Sequence, residues 1–226
     1  MLKLVFPISL RRACIALLAT LSFGVVLPVH AGSYDDFFQA AKTDDASAIA
    51  DLLRRGFDPN TVEAERGDTG MILALRENGM KVFKLLLNAN GIDIDQPAKN
   101  GDTALMIASY KANREAVRAL LAKGAQVNRS GWTALHYAAA VGDNEIVQML
   151  MEKDADLDAK SPNNTTPIMM AARGGHILTV KLLLDAGAAA ALKNDVGMTA
   201  IDFAQQNGNK DIVEGLQYRL KKAGKP

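Results

Sequence analysis

The chain has 226 residues, enough for one or two compact domains, and 49% of them are hydrophobic while only 5% are aromatic. A core of this composition consists mainly of Ala, Leu, Ile, Val and Met, which favours helices. The formal net charge of +1 is close to neutral and offers no electrostatic case for nucleic-acid binding. We therefore expect no nucleic-acid partner.

The first 31 residues have the pattern of a secretory signal peptide. Three basic residues precede an uncharged apolar stretch at 13–27, and Val29-x-Ala31 forms a small-residue cleavage site. A membrane anchor is the alternative interpretation, but the apolar stretch is short for a span of about 20 residues. We expect cleavage after Ala31, export by the general route and no stable membrane insertion of the mature chain.

Removal of residues 1–31 leaves a nearly neutral chain that has no cysteine. The only cysteine is Cys14, and 23 basic residues remain against 25 acidic ones because the three basic residues of the leader are lost. An exported protein without disulfides depends on packing for its stability. The leader predicts a location in the bacterial periplasm, with full secretion as the alternative.

Alanine recurs along the chain at a period close to 33 residues. The spacings are 34, 34, 30, 33 and 33 between Ala40, Ala74, Ala108, Ala138, Ala171 and Ala204. Nine residues after each alanine stand Ile49, Phe83, Val117, Val147, Val180 and Val213. Each unit predicts two short helices, the second with an apolar stripe on one face. One such unit cannot bury that face alone, so the units must stack.

The repeated unit resembles the ankyrin repeat. Its "G-x-T-P-L-H-x-A-A-x-x-G" and "V-x-x-L-L-x-x-G-A-x-x-N" halves match "GDTALMIAS", "VRALLAKGAQVN", "GWTALHYAAAVGDNEIVQMLM" and "NTTPIMMAARGGHILTVKLLLDAGA". The resemblance covers about residues 34–218. It implies an all-α ankyrin-repeat solenoid of about six helix-turn-helix units with short β-hairpin loops.

We place the ankyrin repeat domain at 32–220 and a basic C-terminal tail at 221–226. The six units lie at about 34–60, 61–95, 96–128, 129–158, 159–191 and 192–220. The first and last units depart from the pattern as capping units do. The connection between units three and four is three residues short, so its hairpin should be stunted, while "NANGIDID" between units two and three has one extra residue.

His136 in "GWTALHYAA" allows either an enzymatic or a structural interpretation. A histidine beside Thr133 and Tyr137 could act as a general base. The resemblance instead implies that the Thr and His of T-x-x-H tie the first helix of a unit to neighbouring backbone, and we favour this interpretation. The mature chain has two histidines 40 residues apart and no nucleotide-binding motif. We therefore expect no metal, no cofactor and no enzymatic activity.

Trp132 is the residue of this stretch that does not recur. Its position in ankyrin repeats points toward the concave face, and an aromatic group flanked by Arg and Tyr resembles a protein-binding hot spot. The alternative is that Trp132 only packs on the next hairpin. We expect a protein partner to bind in the concave groove and at the hairpin tips, with candidate contacts Trp132, Tyr110, Lys111, Arg76, Glu77, Arg173, Asp102 and Met198.

The resemblance also implies a role. Some small exported bacterial ankyrin proteins of this type protect against peroxide through a partner catalase, so an accessory role to an oxidative-stress enzyme is one expectation. The alternative is a secreted effector or toxin-neutralising protein that binds its target outside the cell. In either case we expect a monomer.

Overall fold

A computed structural model of the protein describes residues 31–222 and 224, which belong to one compact unit. Apart from Ala31, the predicted leader and its cleavage site lie outside the described residues. The described part contains twelve helices: α1 Ala31–Lys42, α2 Ala46–Arg54, α3 Gly70–Arg76, α4 Met80–Leu87, α5 Ala104–Tyr110, α6 Arg114–Ala122, α7 Ala134–Val141, α8 Asn144–Met151, α9 Pro167–Gly174, α10 Ile177–Asp185, α11 Ala200–Gln206 and α12 Lys210–Lys222.

The twelve helices are stacked in two layers. Each odd-numbered helix packs against the next odd-numbered helix, each even-numbered helix against the next even-numbered one, and the two helices of a pair pack together. This arrangement confirms the predicted all-α solenoid of six helix-turn-helix units. Helix α12 ends at Lys222, so the predicted tail at 221–226 begins inside a helix.

Threonine fixes the start of the first helix in five units. In α3, α5 and α11 the side chain of the threonine directly before the helix accepts a hydrogen bond from the backbone N–H of the residue three positions later. A threonine also stands directly before α7 and α9. The five residues are Thr69, Thr103, Thr133, Thr166 and Thr199.

The recurring apolar residues form the core between the two layers. The alanines of the period are fully buried from Ala74 to Ala204, and only Ala40 in the first unit retains 5% exposure. The apolar side chains of the second helices pack against these alanines. Val117 and Leu120, for example, are both fully buried. The small alanine side chain lets neighbouring first helices approach closely, and the branched residues fill the space between the layers.

The connections predicted as β-hairpins are turns. Within residues 31–222 the pairing of Val62 with Thr69 is an isolated bridge, and no strand is formed. Four connections are each closed by two backbone hydrogen bonds, as from the Ala98 N–H to the Asp102 carbonyl at 2.8 Å and from the Gly101 N–H to the Ala98 carbonyl at 2.9 Å. In the described residues the backbone pairing does not extend beyond these turns, so short turns stand where hairpins were predicted.

Neighbouring turns are joined by backbone hydrogen bonds except at unit four. Lys99 N–H donates to the Arg66 carbonyl at 2.9 Å, and Asp195 N–H donates to the Asn163 carbonyl at 3.1 Å. Among the described residues no backbone bond of this kind reaches the shortened turn at 128–132. The next turn presents Pro162 at the donor position, and proline has no N–H. A polar cavity of about 320 Å³ lies between these two connections.

Aromatic packing anchors the first unit. Phe37 is fully buried, stacks on Phe57 with ring centroids 4.7 Å apart and meets Phe38 edge to face at 5.2 Å. Its ring lies against Gly70, where an added Cβ would stand 2.6 Å from the Phe37 ring. Glycine at the first position of α3 therefore makes room for the capping unit.

Candidate protein-binding surface

A buried charged network underlies the turns of units two and three. Arg76 at the end of α3 bonds Asp68 at 3.0 Å and Asp102 at 3.2 Å, while these carboxylates have side-chain exposures of 0% and 9%. Burial opposes the charge of Arg76, but the two carboxylates outweigh it and raise the pKa of Arg76. Asn100 also donates to Asp102 at 2.7 Å. The network fixes two neighbouring turns to one helix end.

Three aromatic side chains lie next to this network. The Tyr137 hydroxyl donates to Asp102 at 2.6 Å, and the Tyr137 ring meets Tyr110 edge to face at 5.9 Å and Trp132 at 6.3 Å. Tyr110 is 54% exposed, and Trp132 and Tyr137 are half-buried. Burial and, next, the Asp102 carboxylate raise the pKa of Tyr137, so its hydroxyl stays a donor. We call Tyr110, Trp132 and Tyr137 the aromatic cluster.

The sequence position shared by Trp132 is not uniformly a surface position. Asp68, Asp102 and Thr165 occupy it in three other units and are buried. Asp102 was therefore wrongly predicted as a partner contact: its carboxylate is taken up by Arg76, Asn100 and Tyr137. Tyr110 is exposed instead, and its ring contacts Tyr137.

The remaining predicted residues differ in their surroundings. Glu77 and Lys111 are exposed at the ends of α3 and α5, and Arg173 is exposed at the end of α9. Arg76 is mostly buried in the charged network, and Met198 is half-buried in the turn before α11. In the described structure no ring contact, ion pair or hydrogen bond joins Arg173 or Met198 to the aromatic cluster.

Sequence reasoning missed Tyr137 as part of this surface. The residue just before the periodic alanine is apolar in the units on either side, where Ile107 and Met170 stand. A tyrosine at this otherwise apolar position needs a hydrogen-bond partner for its hydroxyl. This tyrosine is the signal in the sequence that could have pointed to a polar contact here. Its partner Asp102 lies 35 residues away, in a different unit.

His136 joins two units as a buried structural residue. Thr133 N–H donates to its Nδ1 at 3.2 Å, so Nε2 carries the proton and donates to the Thr165 carbonyl of the next unit at 2.9 Å. The ring is fully buried. Both nitrogens are used within the fold, which leaves neither for chemistry.

The architecture matches a known family. The family model described as ankyrin repeats (3 copies) matches residues 37–130, 77–161 and 135–223, and thus nearly all of the described chain. The chain belongs to the ankyrin repeat family. Ankyrin repeats indicate a protein–protein interaction module, and the family is in general a non-catalytic scaffold.

Several curated proteins are similar in sequence. Human SH3 and multiple ankyrin repeat domains protein 2 is 35% identical over 176 residues, which is 76% of this chain and 10% of that protein. The nuclear factor NF-kappa-B p105 subunit of Gallus gallus is 30% identical over 206 residues, 79% of this chain and 21% of its own length. The mouse protein fem-1 homolog A-like is 38% identical over 102 residues, 44% of this chain and 15% of its own. The chain thus spans about a tenth to a fifth of these relatives, and the similarity concerns the ankyrin repeats.

The structure offers no constellation for a metal ion in the part that it describes. No group of three or more His, Cys, Asp or Glu side chains is close enough there to hold one. Among the same residues, no helix combines the length and apolar character that a membrane span requires.

The ankyrin T-x-x-H position serves the same capping role with other side chains. Asp202 accepts a hydrogen bond from Thr199 N–H at 2.7 Å, and the Met169 sulfur accepts one from Thr166 N–H at 3.4 Å. The methionine is the weakest acceptor of the set, and the buried Thr166 Oγ1 beside it has no hydrogen-bond partner.

Met169→His is expected to stabilise the protein by about 1 kcal/mol. The imidazole would bond Thr166 as His136 bonds Thr133, and its Nε2–H would reach toward the Met198 carbonyl, the counterpart of Thr165. Urea denaturation followed by circular dichroism measures the change. Met106→His, at the same position of unit three but with no unpaired threonine hydroxyl, serves as the comparison. A midpoint for Met169→His below wild type would contradict the prediction.

His136 should make stability depend on pH near neutrality. Burial lowers its pKa, against the opposing effect of the Thr165 carbonyl, while the unfolded residue titrates at about 6.5. As the pH falls, the unfolded chain therefore binds the proton first. The stability that the neutral, buried His136 contributes is fully present above about pH 6.5 and is lost as the pH falls through the folded pKa. We expect the urea midpoint of wild type to decrease when the pH is lowered from about 7.5 to about 5.5. The midpoint of His136→Gln should decrease less over the same range.

The matched control for this measurement is His176→Gln. His176 is half-buried and bonds the Ala140 carbonyl at 2.9 Å, so the variant also loses a bond between units. It therefore shows how far the loss of a bond between units lowers the unfolding midpoint by itself. A His136→Gln protein with the wild-type slope would show that other groups cause the dependence.

Proposed function

We propose that this chain is a non-catalytic binding protein of the bacterial periplasm that holds a partner protein in its concave groove. The observation that carries the proposal is the aromatic cluster, in which an exposed Tyr110 and a half-buried Trp132 flank Tyr137. Tyrosine and tryptophan provide much of the binding energy at protein interfaces. The chain recognises the surface of its partner protein. It acts as a monomer and binds no nucleic acid.

The support beneath the cluster makes it suited to binding. Tyr137 is held by Asp102, and Asp102 is held by Arg76, so the central ring has little freedom to lose on association. Rings that are already ordered lose less conformational entropy when a partner binds. Glu77 and Lys111, exposed at the ends of α3 and α5, provide charges of both signs next to the rings. We therefore propose that the partner presents an apolar patch with a mixed polar rim.

The location rests on the N-terminal sequence. The leader at 1–31 directs the chain out of the cytoplasm, and residues 32–226 have no cysteine for an oxidising compartment to modify. Osmotic-shock fractionation tests the location. Recovery with periplasmic marker proteins supports the proposal, whereas recovery only from the culture medium would favour the second candidate, a secreted effector or toxin-neutralising protein.

The resemblance to small exported bacterial ankyrin proteins suggests the kind of partner. Within the proposal, the partner is an oxidative-stress enzyme such as a catalase, and the chain is its accessory. Co-purification of peroxide-degrading activity with the chain from periplasmic extract supports this role. An extract in which that activity passes through the column unretained contradicts it.

Trp132→Ala is expected to weaken partner capture by about tenfold or more, because truncating an interface tryptophan commonly costs about 2 kcal/mol of binding free energy. Arg173→Glu should weaken capture if the surface extends to α9. Residues 32–226 of wild type and of each variant are immobilised and exposed to periplasmic extract. The measurement is the amount of each extract protein that wild type and each variant retain.

Tyr218→Ala is the control for this comparison, because Tyr218 is 66% exposed on α12 and has no ring contact with the cluster. It should retain the same proteins as wild type. Circular dichroism must show unchanged helicity in all variants. Wild-type capture by Trp132→Ala would rule out the aromatic cluster as the binding surface, and wild-type capture by Arg173→Glu would show that the surface does not extend to α9.

His136→Ala separates the binding proposal from an enzymatic one. We expect a loss of about 1–3 kcal/mol in stability because two buried hydrogen-bonding groups lose their partner. Partner capture at low temperature should persist. Unchanged stability with abolished biological activity would instead indicate a catalytic histidine.

A further inference from the structure

The dipeptide Asn-Gly occurs four times in the described chain, at 78–79, 90–91, 100–101 and 207–208. In this dipeptide the glycine nitrogen can attack the side-chain amide carbon of the asparagine, because glycine has no Cβ to obstruct the approach. The attack requires a free glycine N–H and a mobile asparagine side chain. The four sites differ in both respects.

Three of the four glycine N–H groups are engaged in backbone hydrogen bonds. Gly79 donates to the Ala74 carbonyl at 2.7 Å. Gly101 donates to Ala98 at 2.9 Å, and Gly208 donates to Gln205 at 3.1 Å. Among the described residues the N–H of Gly91 has no such acceptor.

Two of the three other asparagine side chains are also held, whereas Asn78 is exposed like Asn90 and differs from it in the bonded N–H of its glycine. Asn100 is held on both sides by Asp102, and Asn207 donates to the Phe203 carbonyl at 2.9 Å. Asn90 is exposed and makes no hydrogen bond in the described structure. It lies in "NANGIDID", the connection with one residue more than its counterparts.

We propose that Asn90 is a site of spontaneous deamidation. The Gly91 nitrogen, after losing its proton to hydroxide, forms a bond to Cγ of Asn90, and the bond from Cγ to Nδ2 breaks. Nδ2 takes up a proton from water and leaves as ammonia, and a five-membered imide remains in the backbone. Water then opens the imide at either carbonyl, which gives aspartate or isoaspartate and one new negative charge.

The modification acts on the junction between the first two units. Asn60 donates to the Gly91 carbonyl at 2.8 Å and accepts from Asp93 N–H at 2.7 Å, and this bridge joins the connection of unit one to that of unit two. Isoaspartate at position 90 lengthens the backbone by one methylene directly before Gly91. The Gly91 carbonyl then moves away from Asn60, and the capping unit loses one of its attachments.

Peptide mapping of the purified chain after incubation at mildly alkaline pH tests the site. We expect conversion at Asn90 to be about tenfold or more faster than at the other three sites, since a local opening that costs about 1.4 kcal/mol slows the attack tenfold. Asn78, Asn100 and Asn207 are internal controls with the same dipeptide. Conversion at any of them as fast as at Asn90 would overturn the proposal.

Hydrogen exchange tests the consequence for the junction. Aged wild-type protein should exchange faster than fresh protein in α1 and α2, whereas aged Asn90→Gln protein, which keeps an amide but forms the imide slowly, should not. Fresh Asn60→Ala, which removes the bridge directly, should resemble aged wild type. Equal exchange in aged wild type and aged Asn90→Gln would show that the modification leaves the first unit attached, and would overturn that part of the proposal.

Discussion

Replacement of Arg76 with alanine is expected to lower the free energy of unfolding by about 3–5 kcal/mol, because it leaves two buried carboxylates without their cation. Asp68 has no exposed side-chain surface, and Asp102 has only 9%. Arg66 also contacts Asp68 at 3.2 Å but is 59% exposed, so it compensates one carboxylate only in part. Urea denaturation at neutral pH measures the loss.

An exposed ion pair provides the control for Arg76→Ala. Arg118 bonds Glu145 at 3.0 Å, with side-chain exposures of 67% and 43%. Pairs of this kind contribute about 0–1 kcal/mol, so Arg118→Ala should change stability little. If Arg76→Ala cost no more than Arg118→Ala, the carboxylates would have to be hydrated, and the proposed support of Tyr137 would fail with them.

Phe37→Ala should have an effect of similar size, about 3–5 kcal/mol, but confined to one end of the chain. The phenylalanine is fully buried between Phe38, Phe57 and Gly70, so its removal leaves a cavity that glycine cannot fill. In a solenoid each unit contacts only its neighbours, and a terminal unit can therefore unfold by itself. Hydrogen exchange should show loss of protection in α1 and α2 first.

The control for Phe37→Ala is Tyr34→Phe in the same helix. That change removes an exposed hydrogen bond from the Tyr34 hydroxyl to the Val62 carbonyl and keeps the ring against Phe38. It should cost about 1 kcal/mol or less. Uniform loss of protection along the whole chain in Phe37→Ala would contradict the expectation that the first unit unfolds independently.

The fold could be predicted because its determinants repeat. The alanine period and the apolar residue nine positions later recur in six units, and each recurrence tests the same packing arrangement independently. His136 could be interpreted correctly for the same reason, since its neighbours Thr133 and Ala138 belong to the period. The detail of the connections was less predictable: residues in a turn contact the turns of other units, and these contacts change where the sequence of a turn departs from the period, as at Pro162.

The candidate surface was predicted only in part for this reason. Tyr110 and Trp132 were recognised as unusual residues at positions that face partners. Asp102 was assigned to the same surface, although Arg76 from the preceding unit and Tyr137 from the following unit draw it inward. Such a network depends on three units at once, and no single repeat pattern contains it.

The interrupted row of turns at unit four has a mechanical consequence. Backbone bonds such as Lys99 to Arg66 resist any splaying of adjacent turns, whereas the 128–132 connection has no such bond and faces Pro162. The helices on either side remain joined by His136 and His176, which bond the next and the preceding unit. Side chains span this junction where the backbone bond is missing: Asn128 donates to the Asp154 carbonyl at 2.7 Å and accepts from Asp156 N–H at 2.8 Å. Bending of the solenoid should therefore meet less resistance here than at turns that are joined by backbone bonds. We expect the stiffness of the solenoid to be uneven along its length, with a softer junction beside Trp132.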